Sequence, residues 1–235
     1  VLSGVELFAD GTEQHPGVGD VVVVDVGGAT TDVYSVTSPE LDDDPAAREA
    51  VATMWHSRTV EGDLGVRWNA PGIVEAARRE GFLDDEGHAM LVEPAALRKS
   101  DPGYLPVTSD EHGVDRELAR LASAVALRRH ARPHTAGSVL HPGKDLSRVS
   151  MVIGSGGVLR YSSEAHARAI VEAAVADPAG GWRTPERAVA LVDQRYVLAA
   201  AGLISRTNPS AAMSLLRNSL FNRSSSTSGG STRRG

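Results

Sequence analysis

The chain has 235 residues, 41% hydrophobic and 4% aromatic, with no cysteine and a formal net charge of −6. This supplies an aliphatic, alanine-rich core for one domain of about 200 residues, and the absence of cysteine excludes disulfides, thiolate metal centres and a cysteine nucleophile. The acidic balance argues against general nucleic-acid binding. With no apolar run of the roughly 18 residues a membrane helix needs and no visible signal-peptide pattern, a cytoplasmic protein without membrane contact is expected.

Val21-Val22-Val23-Val24-Asp25-Val26 is an unbroken apolar run that reads as a buried strand. It ends at Gly27-Gly28-Ala29-Thr30-Thr31-Asp32, and a second strand is expected over 33–37, before an acidic surface loop over 39–46. A third strand over 54–60 completes an antiparallel ribbon. Helices are expected over 70–80 and 84–98, the latter broken near Pro94. The clearest helix spans 110–132: Val114, Leu118, Leu121, Ala122 and Val125 form one stripe, Ser109 is the expected N-cap with His112 at the capping-box position, and Pro133 stops it. Val149-Ser150-Met151-Val152-Ile153 is another apolar strand, running into Gly154-Ser155-Gly156-Gly157. A helix over 163–176, a strand over 188–192 and a small-residue helix over 196–204 follow. Residues 205–221 form a C-terminal helical segment. Residues 222–235, rich in Ser, Gly and Arg, form a basic tail of disordered composition.

The segment around Gly27 and Gly28 has two readings. Glycines expose backbone N–H groups to an anion at close range, Thr30 and Thr31 add hydroxyl donors, and Asp25 at the strand end suits a hydrated divalent cation. It is not a Walker loop, because no Lys-Ser/Thr follows and the turn leads into a strand. The other reading is an ordinary hairpin with a Gly-Gly turn. The second glycine loop, about 125 residues later, favours a cleft that grips a ligand at two points.

Asp25-Val-Gly-Gly-Ala-Thr-Thr-Asp32 resembles the second phosphate motif of the actin, Hsp70 and sugar-kinase ATPase superfamily, and Ile153-Gly-Ser-Gly-Gly157 resembles its adenosine motif. More narrowly, Arg58-Thr-Val-Glu-Gly-Asp-Leu-Gly65 and Gly143-Lys-Asp-Leu146 resemble the MutL family associated with glutamate mutase, which is unrelated to the mismatch-repair protein of that name. The resemblance covers roughly residues 1–204. It implies an α/β, actin-like (ribonuclease H-like) ATPase lobe, with a mixed sheet, flanking helices, and ATP and Mg as ligands. It also implies an ATP-driven reactivating chaperone whose partner is an adenosylcobalamin-dependent mutase. On this reading Gly27, Gly28, Ala29, Thr30 and Thr31 hold phosphates, and Gly154, Ser155, Gly156 and Gly157 lie against base and ribose. Asp25 holds Mg through water and orients the nucleophile, with Asp32 as the second candidate. The superfamily's first phosphate motif is missing before Val21, and residues 1–10 resemble the helix that enters the second lobe. The expectation is therefore a C-terminal half: residues 1–204 are the second lobe, with the first lobe upstream. Ala199-Ala200-Ala201-Gly202 resembles the second connecting segment, where small residues let two lobe-crossing helices pack closely.

Other polar groups carry two readings each. Glu61 and Asp63 suit a ribose or a metal-bound water and Arg58 a phosphate; the alternative is a turn with an Arg–carboxylate ion pair. Lys144-Asp145 suits a cap or a ribose. His130, His134 and His141 lack the helical spacing of a zinc pair, because Pro133 intervenes. Trp55, Trp68 and Trp182 read as packing residues. The motif around Asp25 is also similar to that of hydantoinase and oxoprolinase subunits, which couple ATP cleavage to opening a cyclic amide, and a nucleotide-free binding lobe is a third reading.

Overall fold

In a computed structural model, residues 1–38, 56–136, 139–141, 143–176 and 180–221 are described. The expected acidic loop over 39–46, the start of the expected third strand, Trp55 and the tail over 222–235 lie outside them. Five strands form one mixed sheet in the order β3-β2-β1-β6-β7. Strands β1 (Val21–Val26), β2 (Thr31–Val36) and β3 (His56–Glu61) are antiparallel neighbours. β6 (Met151–Gly156) runs parallel to β1, and β7 (Val189–Val192) runs parallel to β6. A separate two-stranded ribbon joins β4 (His134–Ala136) to β5 (Val139–His141).

The valine run of β1 has no polar alternation because both of its faces are covered. Val22, Val24 and Val26 enter one core, Val21 and Val23 a second. The first core lies under helices α2 (Ala70–Arg79), α4 (Ser109–Ala131) and α6 (Glu164–Val175). The second lies under α1 (Leu2–Asp10), α7 (Val197–Ile204) and α8 (Pro209–Leu220), so the segment over 205–221 supplies core side chains such as Met213 and Leu216. Helix α1 crosses α7 at close range: a Cβ on Gly4 would meet the Leu198 carbonyl oxygen at 2.2 Å, and one on Gly202 the Gly4 nitrogen at 2.9 Å.

Several local expectations are corrected. Helix α3 (Asp85–Ser100) runs through Pro94 unbroken; Met90, whose carbonyl loses its i+4 donor, is 70% exposed, on the side where water takes the donor's place. The N-cap of α4 is Thr108, not Ser109. Its hydroxyl accepts from Glu111 N, and the Glu111 carboxylate accepts from Thr108 N at 2.8 Å, a complete capping box one residue earlier than expected. A short helix, α5 (Gly157–Tyr161), starts directly at the second glycine loop, before the expected helix that Ser163 caps. Trp68 is 60% exposed and does not serve core packing.

Candidate functional site

The first glycine loop is a tight hairpin tip. Gly27 N–H donates to the Thr30 carbonyl at 2.9 Å, and the register from Val21↔Val36 to Val26↔Thr31 is fixed on either side. Its carbonyls are turned inward: Gly27 O accepts from Val66 N, and Gly28 O from Arg67 N and Trp68 N at 2.9 and 3.0 Å. Asn69 Nδ2 ties the Ala29 carbonyl to that of Gly62. Gly65 packs so closely on Ala29 that a Cβ there would lie 2.2 Å from its backbone. The N–H groups of Gly28, Ala29 and Thr30 donate to no acceptor among the described residues. Consecutive N–H groups left without an acceptor beside engaged carbonyls make the tip a candidate for holding an anion. The Thr31 hydroxyl is spent elsewhere: it is buried and donates to the Leu64 carbonyl at 2.6 Å.

The second loop contains glycines with different tasks. Gly154 leaves room for Leu159 and Val171, each 2.4 Å from where its Cβ would stand. Gly156, at φ 114°, lies against the Val26 carbonyl, 2.1 Å from its would-be Cβ. No L side chain fits at Gly156, whereas at Gly154 one would have to displace the Leu159 and Val171 side chains. Gly157 is open, its nearest neighbour being the Tyr196 hydroxyl at 3.9 Å. Gly28 and Gly157 line one cavity of about 500 Å³, walled by Val26, Val66, Leu105 and Val158, with Tyr161 and His112 also lining it. Arg67 and Asp115 also line it. Asp115 accepts from Arg67 at 2.5 Å and from the buried Arg98 at 2.7 Å. Neither arginine nor Asp115 was singled out in the sequence; the pairing joins residues 17 and 48 positions apart, a separation that no local pattern encodes.

The acidic candidates lie at the same end of the sheet but on its other face. By strand alternation Asp25 shares the side of Val21 and Val23, and its register partners are Asp32 on β2 and Ser155 on β6. Burial pushes the Asp25 carboxyl up, a hydrogen bond with Ser155 opposes this, and the charges of Asp32 and Asp193 push it up further. Asp32 accepts from Arg58 at 2.8 Å and from the Tyr34 hydroxyl at 3.0 Å, while Thr30 Oγ1 stands at 3.5 Å. Burial and the Asp32 carboxylate push Tyr34 up to about 12. Asp193 was missed in the sequence. It is buried and caps α7, accepting from Val197 N at 2.9 Å and Leu198 N at 3.0 Å. The available signal was an acid directly after a strand and four residues before an apolar helix.

Glu61 and Asp63 form an ion pair, but with Arg129 of α4 rather than with Arg58: the contacts are 2.8 Å to Glu61 and 2.7 Å to Asp63. Hydrogen bonding from Arg129 holds Asp63 below the usual carboxylate range. Asp145 accepts from Ser147 N at 3.0 Å and from Ser147 Oγ at 2.6 Å, and Lys144 Nζ donates to the His130 carbonyl. His130 is buried, with its ring nitrogens 2.8 Å from Thr59 Oγ1 and 2.8 Å from Ser35 Oγ. Among the described residues no cluster of His, Asp and Glu is arranged to hold a metal by itself, and no helix is long and apolar enough to cross a membrane.

These features define an α/β domain with two glycine loops at the ends of neighbouring parallel strands and an acidic edge. A family model described as MutL protein matches residues 1–220. Over 228 residues the chain is 32% identical to "Protein MutL" of Clostridium tetanomorphum, an alignment covering 92% of this chain and 48% of that protein. The chain belongs to the MutL family, the glutamate-mutase-associated one whose motifs it resembles. It spans about half the length of the curated relative it matches.

Proposed function

We propose that this chain is the nucleotide-binding lobe of an ATP-dependent reactivating chaperone for adenosylcobalamin-dependent mutases, built on an actin-like ATPase plan. The observation that carries the nucleotide reading is the pairing of three N–H groups without acceptors at Gly28–Thr30 with a cavity bordered by Gly28 and Gly157. A base fits the apolar cavity, and the phosphates follow the glycines toward Asp25. The mutase partner rests on family membership and the motif resemblance alone.

The carboxylates fit Mg. Asp25 is a half-buried acid under the charges of two further acids, Asp32 and Asp193, and a cation there would relieve both desolvation and repulsion. Asp25 would hold the ion through water, and the ion would supply charge neutralisation on the phosphates. The chain's own contributions are positional. The N–H groups of Gly28, Ala29 and Thr30 seat the phosphate oxygens, with the Thr30 hydroxyl as a further donor. Asp25 orients and accepts a proton from the attacking water, and Asp32, tethered by Arg58 and Tyr34, is the second acceptor. Glu61 and Asp63 act through Arg129, fixing the turn that carries Gly65 under Ala29.

The matched relative is about twice as long, and we assign its remaining half to the opposing lobe that closes on the phosphates. The test is titration of the chain with ATP–Mg, followed by backbone amide NMR and a turnover assay. Weak binding is expected, with shifts at residues 27–31 and 154–157, and turnover is expected only when the relative's remaining half is supplied as the opposing lobe. Robust ATP hydrolysis by this chain alone overturns the lobe assignment. Unmoved amides at both loops at millimolar ATP overturn the nucleotide assignment.

A further inference from the structure

Tyr196 is the only non-glycine residue with positive φ among the described residues, at φ 54° and ψ 36°. A left-handed tyrosine costs roughly 1 kcal/mol relative to the right-handed region, and such outliers point to positions held for a purpose. The conformation is enforced from behind. Asp193 takes the N–H groups of Val197 and Leu198, so α7 begins at a fixed place and Tyr196 must turn back over the second glycine loop. Its hydroxyl then stands 3.9 Å from a Cβ built on Gly157 and makes no hydrogen bond to any described residue.

Arg160 meets it there. Its guanidinium lies 4.6 Å over the Tyr196 ring and 5.5 Å over the ring of Tyr161, the residue that also lines the cavity. Arg160 forms no ion pair among the described residues, although acids stand close by: Asp25 and Asp193 both bear on Tyr196. Two aromatic faces hold the cation in place without neutralising it. The guanidinium is thus stacked on the ring whose unbonded hydroxyl stands at the open glycine, and beside Tyr161, which lines the cavity.

The geometry points to Arg160 and Tyr196 as a clamp for the phosphate that lies against Gly157, the guanidinium and the phenol each donating to its oxygens. This deepens the nucleotide reading and rests on it. The clamp selects phosphorylated over unphosphorylated nucleosides, a discrimination the apolar cavity does not supply.

The test titrates adenosine and ADP into the full chain and into Arg160→Ala, Tyr196→Phe and Tyr196→Gly. ADP binding is expected to weaken about 10-fold in Arg160→Ala and about 5-fold in Tyr196→Phe, in line with single hydrogen bonds to a charged group, while adenosine binding stays as in the parent. Tyr196→Gly keeps the fold, because glycine adopts φ 54° freely, and shows the same loss for ADP. Equal weakening of both ligands, or none for ADP, overturns the clamp. A parent chain that binds neither ligand defeats the nucleotide reading itself, and the clamp with it.

Discussion

The two glycine loops look alike in sequence and are unlike in structure. At the hairpin tip the backbone is held by its carbonyls, through Val66, Arg67 and Trp68, and the N–H groups of Gly28, Ala29 and Thr30 are left without an acceptor among the described residues. At the end of β6 the glycines are demanded by packing: Gly154 by Leu159 and Val171, Gly156 by Val26. Only Gly28 and Gly157 border the cavity with no backbone pressed against them. A glycine-rich string is therefore divided between positions that let the fold close and positions that let a ligand approach, and the division is visible only once the partners are known.

The largest test of that division is Gly156→Ala. A Cβ at φ 114° against a backbone carbonyl has no relaxed position, so the variant is expected to lose roughly 3 kcal/mol or more, measured by urea unfolding. Normal stability would show that the strand end is softer than it looks.

Asp25→Asn comes next, and its two effects have opposite signs. In a two-lobe protein it is expected to lower ATP turnover on the order of 100-fold. Stability moves the other way. The native pKa of Asp25 is raised, so its contribution favours folding at low pH and is lost as pH rises through that native value. Asn removes the loss. The variant should melt higher than the parent at pH 7, with the gap closing as pH falls below the ordinary carboxylate range of about 4. A gap that widens on acidification contradicts the assignment of burial and repulsion at this site.

Gly28→Val sharpens the comparison at the hairpin tip. The neighbour of a Cβ there is the flexible Arg67 side chain at 3.7 Å, so folding tolerates it, whereas a branched group fills the space of the phosphate and is expected to weaken ATP about 10-fold by calorimetry. The smallest effect belongs to Gly157→Ala, within about 0.5 kcal/mol of parent stability by thermal melting, because nothing lies closer than 3.9 Å. A large loss there would erase the distinction between the two kinds of glycine.

The strands and the main helices were legible because their signals are local: a valine run, glycine punctuation, Pro133 behind a long apolar stripe. The two glycine loops of the candidate site were legible because they sit at strand ends. What escaped depends on distant partners or on a one-residue frame. The capping box needed Thr108 rather than Ser109, Pro94 was tolerated because Met90 faces outward, and Asp193 gains meaning only beside Asp25. Arg129 replaced Arg58 as the partner of Glu61 and Asp63 because α4 folds back over β3 from 66 to 68 residues away.

The packing of α1 with α8 has a consequence for how the chain is made. Val5 and Phe8 share the second core with Met213 and Leu216, and the ring of Phe8 meets that of Phe221 at 5.7 Å. On the ribosome helix α1 can meet β1 and β2 early, but the part of its apolar face that packs on α7 and α8 waits until those helices have been synthesised. At about 5–20 residues per second that is an interval of roughly ten to forty seconds, during which α1 is available to holdase chaperones or to a neighbouring nascent copy.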